Sequence, residues 1–155
     1  MVGTRLRLGS RADWVAMHLV EGTILDVGVR DGYVWKKLKR RPDVAVDIEK
    51  WPLVDVLADI HHLPFRDNSF TQVVCTEVLE HVEDPRRGLL ECLRVAKDRV
   101  IVTVPKGRHE SGYAQEYFLK EDEVRELLRG LNCFYRHAET HYWRGYGIVC
   151  RKRRS

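Results

Sequence analysis

Four acidic residues each border a short apolar run, and an acid at each of those places could hold one part of a nucleoside that carries an ammonium group. Asp26 lies in Ile24-Leu25-Asp26-Val27-Gly28-Val29-Arg30-Asp31-Gly32, and Asp47 closes Val44-Ala45-Val46-Asp47. Asp59 opens Asp59-Ile60-His61-His62-Leu63-Pro64-Phe65-Arg66-Asp67-Asn68-Ser69-Phe70, and Glu77 follows Val73-Val74-Cys75-Thr76. In an open α/β sheet, ligands bind beyond the carboxyl ends of the strands, where strand order reverses. Acids delivered there accept hydrogen bonds from a ribose, an adenine amino group and a ligand ammonium. The ligand inferred from this set is S-adenosylmethionine. Taken singly, Asp26 has a lesser reading as a turn cap and Asp47 as a solvated strand end; the order of the four acids along the chain is what carries the inference.

These acids need strands behind them. Ser10 suits the N-cap of a helix running to about Val20, with Trp14, Val15, Met17, His18 and Leu19 as its apolar side. Strands are expected over residues 23–28, 44–48, 54–58, 70–76, 100–104, 133–139 and 142–150. Further helices are expected over 33–40, 85–96 and 120–130. Strands alternating with helices predict a mostly parallel sheet with right-handed crossovers. The short link Thr140-His141 requires the last two strands to pair antiparallel. The expected fold is therefore α/β: a doubly wound, Rossmann-like, seven-stranded sheet with a C-terminal antiparallel pair and helices on both faces. One domain is expected over 1–155, with an N-terminal helix (10–22), a cofactor-binding half (23–104) and a substrate-side half (105–155).

Composition agrees with a globular chain: 155 residues, 44% hydrophobic, 32% charged, formal net charge +4. There is no apolar run long enough to span a membrane and no signal-peptide pattern, so a cytoplasmic location without membrane contact is expected. Cys75, Cys92, Cys133 and Cys150 form no C-x-x-C pair that would suggest zinc or redox chemistry. Cys75 in an apolar strand and Cys92 on an apolar helix face read as buried free thiols. A dinucleotide site is disfavoured, because its pyrophosphate wants G-x-G-x-x-G and Gly28/Gly32 give only G-x-x-x-G.

From Thr23 to Lys106 the chain resembles class I S-adenosylmethionine-dependent methyltransferases. The resemblance is to the type 11 group, which includes enzymes of ubiquinone and menaquinone biosynthesis. It is strongest in Asp59-x-x-x-Leu63-Pro64-Phe65-x-Asp67-x-Ser69-Phe70, followed by Glu77-Val78-Leu79-Glu80-His81-Val82-x-Asp84-Pro85. The resemblance implies that Asp26, Gly28, Val29, Arg30 and Gly32 form the loop that cradles the methionine end. It implies that Asp47 binds both ribose hydroxyls, with Ile48 against the adenine face. Asp59 would accept from the adenine amino group, Ile60 would offer its backbone amide to the ring, and Thr76 and Glu77 would meet the methionine ammonium and the sulfur. Arg30 stands where the family usually has its middle glycine, so its side chain crowds the loop unless it points to solvent.

Methyl transfer from a sulfonium needs chiefly alignment and exclusion of water, and a base only where the acceptor must lose a proton. His109 is the best candidate base; His81 is a further candidate, although its place in the family's shared Leu-Glu-His segment reads more simply as structural, and Glu110 and His141 also lie near the expected rim. Glu77, Glu80 and His81 are superficially similar to the metal set of small-RNA 3′-end methyltransferases, but Glu-x-x-Glu-His is common in the type 11 group and no metal is expected. No Asn/Asp-Pro-Pro-Tyr/Phe motif and no Pro-Cys nucleophile follows strand four, which argues against DNA amino methylation and cytosine carbon-5 chemistry. With no cap domain expected, loop 106–118 and the N-terminal segment must serve as the lid, with Gly112, Tyr113 and Tyr117 lining an acceptor pocket. Such an open cleft suits RNA, a completing protein subunit or another acceptor, and the basic runs 36–41 and 151–154 permit RNA while reading more simply as a solvated helix face and a tail. A different class of function, a catalytically silent cofactor-binding or partner-stabilising protein, is motivated by Arg30 and the missing cap.

Overall fold

The computed structural model describes residues 9–106 and 120–153. Its strands are β1 (Ile24–Val27), β2 (Val44–Asp47), β3 (Val56–Leu57), β4 (Phe70–Thr76), β5 (Ala96–Pro105), β6 (Cys133–Glu139) and β7 (Arg144–Arg151). They form one sheet in the order β3-β2-β1-β4-β5-β7-β6. The first five are parallel, while β7 runs antiparallel to both β5 and β6. The helices are α1 (Arg11–His18), α2 (Tyr33–Leu38), α3 (Pro85–Val95) and α4 (Glu121–Leu128).

Alternation along the strands builds two cores. Leu25, Val27, Val73, Cys75, Val100 and Val102 face α3 and α4, where Leu89, Cys92, Val95, Val124 and Leu127 complete one cluster. Ile24, Val74, Ile101 and Val149 face the other way and pack with Trp14 and Val15 of α1 and Val34 and Trp35 of α2. A strand buried on both faces reads as a continuous apolar run, which is why β4 and β5 were visible in the sequence. Helices on both faces make the sheet doubly wound, as expected.

Local chemistry sets the boundaries. Ser10 and Asp13 bracket the start of α1, where the Asp13 carboxylate accepts the amides of Gly9 (2.8 Å) and Ser10 (2.9 Å). Asp84 caps α3 by accepting from Arg87 N at 3.1 Å, with Pro85 at the first helical position. β3 is shorter than expected because the Asp55 carboxylate takes the Ala45 amide (2.8 Å) and Val54 N closes a turn onto Trp51 O (3.0 Å). α2 stops at Leu38 because Lys39 turns left-handed (φ 52°). Cys75 and Cys92 are buried free thiols, whereas Cys133 and Cys150, opposite each other in the β6–β7 ladder, form a disulfide that their spacing did not announce. No helix among the described residues is long and apolar enough to cross a membrane.

Candidate functional site

Strand order reverses between β1 and β4, and the crevice beyond their carboxyl ends is where an open sheet of this kind receives a ligand. Two adjoining hollows occupy it and share Gly28, Arg30, Trp51 and Glu77. The larger, ≈ 840 Å³, is lined by Asp47, Ile48, Asp59, Ile60 and His81 among others. The smaller, ≈ 230 Å³, is bounded by Arg11, Asp26, Val29, Tyr33 and Thr76. Of the expected cofactor residues, Gly32 stands just behind the lining, as the N-cap of α2. His109, Glu110, Gly112, Tyr113 and Tyr117 lie outside the described residues.

The loop after β1 has a left-handed backbone at Gly28 (φ 80°), Arg30 (46°) and Gly32 (76°). A Cβ at Gly28 would collide with Val78 Cγ2, and one at Gly32 with Leu53 Cδ1. Arg30 accepts the strain of a positive φ and sends its side chain outward, its guanidinium carbon 6.0 Å from the centre of the Trp51 ring. The loop is tied down by Asp47, whose two carboxylate oxygens accept the amides of Arg30 (3.0 Å) and Glu49 (2.9 Å). A carboxylate oxygen has more than one lone pair, so Asp47 retains acceptor capacity for a ligand.

Among the described residues, Asp26 and Glu77 are the unsatisfied acids of the four. Asp26 is 3% exposed; its Oδ2 accepts from Trp35 Nε1 at 2.6 Å, while its Oδ1 is buried without a partner. Burial pushes its carboxyl up to about 7, against the opposing pull of the Trp35 bond and with a smaller push from Asp47. Glu77 follows β4 with a left-handed φ of 55°, and its Oε2 is also buried and unpartnered. Burial raises it to about 7 despite the nearby Arg11 charge and Trp143 indole. Buried Glu80 is raised as well, first by desolvation and then by Glu77. Its Oε1 lies 3.3 Å from His81 Nε2.

Asp59 is different. It is half exposed and held below the usual carboxylate range, chiefly because its Oδ1 accepts the His61 amide at 2.9 Å. His61 Nδ1 stands 2.7 Å from the same oxygen, and His61 Nε2 accepts the Asp84 amide at 3.1 Å, which places the imidazole proton on Nδ1. Ile48 presents a bare side chain, 71% exposed, at the rim of the larger hollow. Arg11, Tyr33 and Trp51 join the lining without having been singled out from sequence. Arg11 follows the Ser10 N-cap that marks the helix in the sequence, but nothing local in the sequence ties it to a loop 17–21 residues away.

An ammonium would satisfy the orphaned oxygens of Asp26 and Glu77, and the glycine positions leave backbone bare for close approach. The residues present therefore fit the cationic nucleoside that the sequence implied. The family model described as "Methyltransferase domain" matches residues 25–104. An uncharacterized protein of Methanocaldococcus jannaschii is 33% identical over 93 residues, which are 54% of this chain and 41% of that relative, so the chain spans less than half of the relative's length. A SAM-dependent methyltransferase from Aquifex aeolicus superposes with a TM-score of 0.70 at 20% identity, over 96% of this chain and 93% of that one. The 1,6-didemethyltoxoflavin-N1-methyltransferase of Burkholderia thailandensis, solved with 1,6-didemethyltoxoflavin and S-adenosylhomocysteine bound, gives a TM-score of 0.69 at 17% identity, over 95% of this chain and 77% of that one. At such identities the structural likeness is one of fold.

Proposed function

We propose a function from one premise: this chain belongs to the class I S-adenosylmethionine-dependent methyltransferases of the type 11 group. It binds S-adenosylmethionine across the two joined hollows and passes the methyl group to an acceptor that enters beside Glu77. The observation that carries the reading is the convergence of Asp26, Asp47, Asp59 and Glu77 on one crevice, with two of them holding buried, unpartnered oxygens. When bound, the cofactor supplies an electrophilic methyl group on a sulfonium.

The chain's own residues bind and orient. Asp47 receives the ribose hydroxyls, Asp59 the adenine amino group, and Ile48 covers one adenine face while the Ile60 amide meets the ring edge. The Gly28–Gly32 backbone, Val29 and Arg30 enclose the amino-acid end, with Thr76, Glu77 and Asp26 around its ammonium. Holding donor and acceptor in line is the main source of acceleration. Where the acceptor must shed a proton, His81 on the rim of the larger hollow is the described residue we assign to take it.

Titration calorimetry with S-adenosylmethionine and S-adenosylhomocysteine tests this. The expected result is one-to-one micromolar binding. Asp47→Ala, which removes charge-assisted hydrogen bonds to ribose, should weaken it by about 10- to 100-fold. Binding that is indifferent to Asp47→Ala would refute the site. A second reading, a silent scaffold that holds cofactor and stabilises a partner, draws on the left-handed Arg30 in a loop that favours glycine. Transfer of labelled methyl by the pure protein to any acceptor fraction, lost in Asp47→Ala, would eliminate it.

A further inference from the structure

We propose that Trp143, Thr103 and Glu77 form the acceptor end of the site and hold a hydroxyl group, so that the methyl goes to oxygen; this rests on the function proposed above. Each of the three buries a polar atom that has no partner: Trp143 Nε1, Thr103 Oγ1 and Glu77 Oε2. The sheet brings them together. Thr103 pairs with Thr76 on one side and Gly147 on the other, and Glu77 N donates to Thr103 O at 2.9 Å. Thr103 stands two residues after Ile101, so alternation turns it to the face of the sheet that α1 covers, where Trp143 also packs. A Cβ at Gly145 would come within 2.9 Å of Trp143 Nε1, so the indole edge rests above bare strand backbone. Gly145 pairs with Pro105, two residues or about 7 Å along β5 from Thr103. Thr140 Oγ1 fixes the entry of the indole by accepting the Trp143 amide at 2.9 Å. The indole is near enough to Glu77 to oppose the rise of its carboxyl, yet makes no hydrogen bond of normal geometry.

Buried polar groups are normally paired, and three orphans at one end of the sheet describe the group that is missing. The indole can only donate, the Glu77 carboxylate can only accept, and the threonine hydroxyl can do either. Their partner must therefore donate and accept at once. A hydroxyl does both, and its oxygen has two lone pairs: when Trp143 takes one, the other stays free for the methyl carbon. A neutral amine has a single lone pair, which a bond from the indole would occupy. A carboxylate or a thioether has no proton to give Glu77. Because Glu77 also lines the smaller hollow, one carboxylate borders both the methyl donor and the acceptor, and its oxygens have lone pairs for each. Fixing the acceptor oxygen from two sides supplies the alignment on which the transfer depends.

The experiment uses phenol as the hydroxyl probe, with toluene and aniline as its apolar and amine counterparts. Each is titrated into protein saturated with S-adenosylhomocysteine, and amide and indole N–H resonances are followed by NMR. The Trp143 indole signal is assigned by its loss in Trp143→Phe. Phenol is expected to shift that signal and to bind about 10-fold more tightly than toluene or aniline. Trp143→Phe and Thr103→Val, with folding checked by thermal melts, should each weaken phenol about 5- to 10-fold and leave toluene unchanged. A wild type that does not bind phenol, binds it no better than toluene or aniline, or keeps its Trp143 signal unmoved overturns the proposal, since the orphans then hold water alone. Phenol binding indifferent to both substitutions does the same. Those outcomes leave the cofactor reading intact. A folded wild type that does not bind S-adenosylhomocysteine overturns both.

Discussion

Trp14→Ala is expected to lower the free energy of unfolding by about 3–5 kcal/mol, the range for emptying a buried indole. Trp14 is 1% exposed and is the main attachment of α1 to the sheet. Its Nε1 donates to Ile148 O at 3.3 Å, and its ring stacks at a tilt on His18, 4.2 Å away between centroids. The ring lies on β7 where Gly147 has no side chain; a Cβ there would collide with three of its atoms. Truncation leaves a cavity that α1 cannot collapse into, because Val15 and Ala12 already fill the flanking space. Urea denaturation followed by far-ultraviolet circular dichroism measures the loss, and a midpoint shift worth less than about 1 kcal/mol would contradict this account of α1. Gly147→Val is the complementary insult, since it forces the same two surfaces apart from the strand side. Both variants should also weaken S-adenosylhomocysteine binding, because Arg11, one turn of helix before Trp14, lines the smaller hollow and moves with it.

Much of this architecture was legible from sequence for a simple reason. β1, β4 and β5 are buried on both faces near their centres, so each carries a short apolar run (Ile24-Leu25, Val73-Val74-Cys75 and Val100-Ile101-Val102), and an acid that closes or follows a strand falls on the carboxyl edge of the sheet. Asp47, Asp59 and Glu77 needed only their positions along the chain to be placed. What sequence did not disclose depends on register and on distant pairing. β5 begins at Ala96, four residues before its apolar run, because Ala96 pairs with Phe70 across an irregularity in the ladder. Cys133 and Cys150 meet only because β6 and β7 pair in a register that sets them opposite each other. Arg11 reaches the crevice because the Trp14–Gly147 fit seats α1 over that side of the sheet, and a glycine in a strand does not advertise the indole it admits. Arg30 was legible as a departure but not in its consequence: the left-handed backbone turns its side chain to the Trp51 ring and leaves the cradle to Gly28 and Gly32.

Asp26→Asn is expected to stabilise the ligand-free protein above neutral pH while impairing its binding. The carboxyl is raised to about 7 from an ordinary 3.8, so the folded chain holds a proton that the unfolded chain releases. Its contribution to stability is therefore fully present below about pH 4 and is lost progressively as pH rises through about 7. That interval corresponds to about 4 kcal/mol at 1.36 kcal/mol per pH unit. An asparagine keeps an oxygen to accept from Trp35 Nε1 and carries no charge to desolvate, so the gain over wild type should grow from pH 5 to pH 8. Raised Glu77 and Glu80 act in the same direction and remain in the variant, so its stability should still fall with pH, though less steeply. Paired urea titrations at the two pH values decide this, and a stability difference independent of pH would refute the buried charge as its cause. A cationic ligand reverses the balance by favouring the ionised carboxylate. Wild type should then release protons on binding S-adenosylhomocysteine near pH 6.5, seen as a dependence of the binding enthalpy on buffer ionisation, and Asp26→Asn should release fewer and bind more weakly. The ligand-free protein thus bears an electrostatic penalty at the place where the proposed function puts the ligand's ammonium, which is the pattern of an acid kept for binding and not for folding.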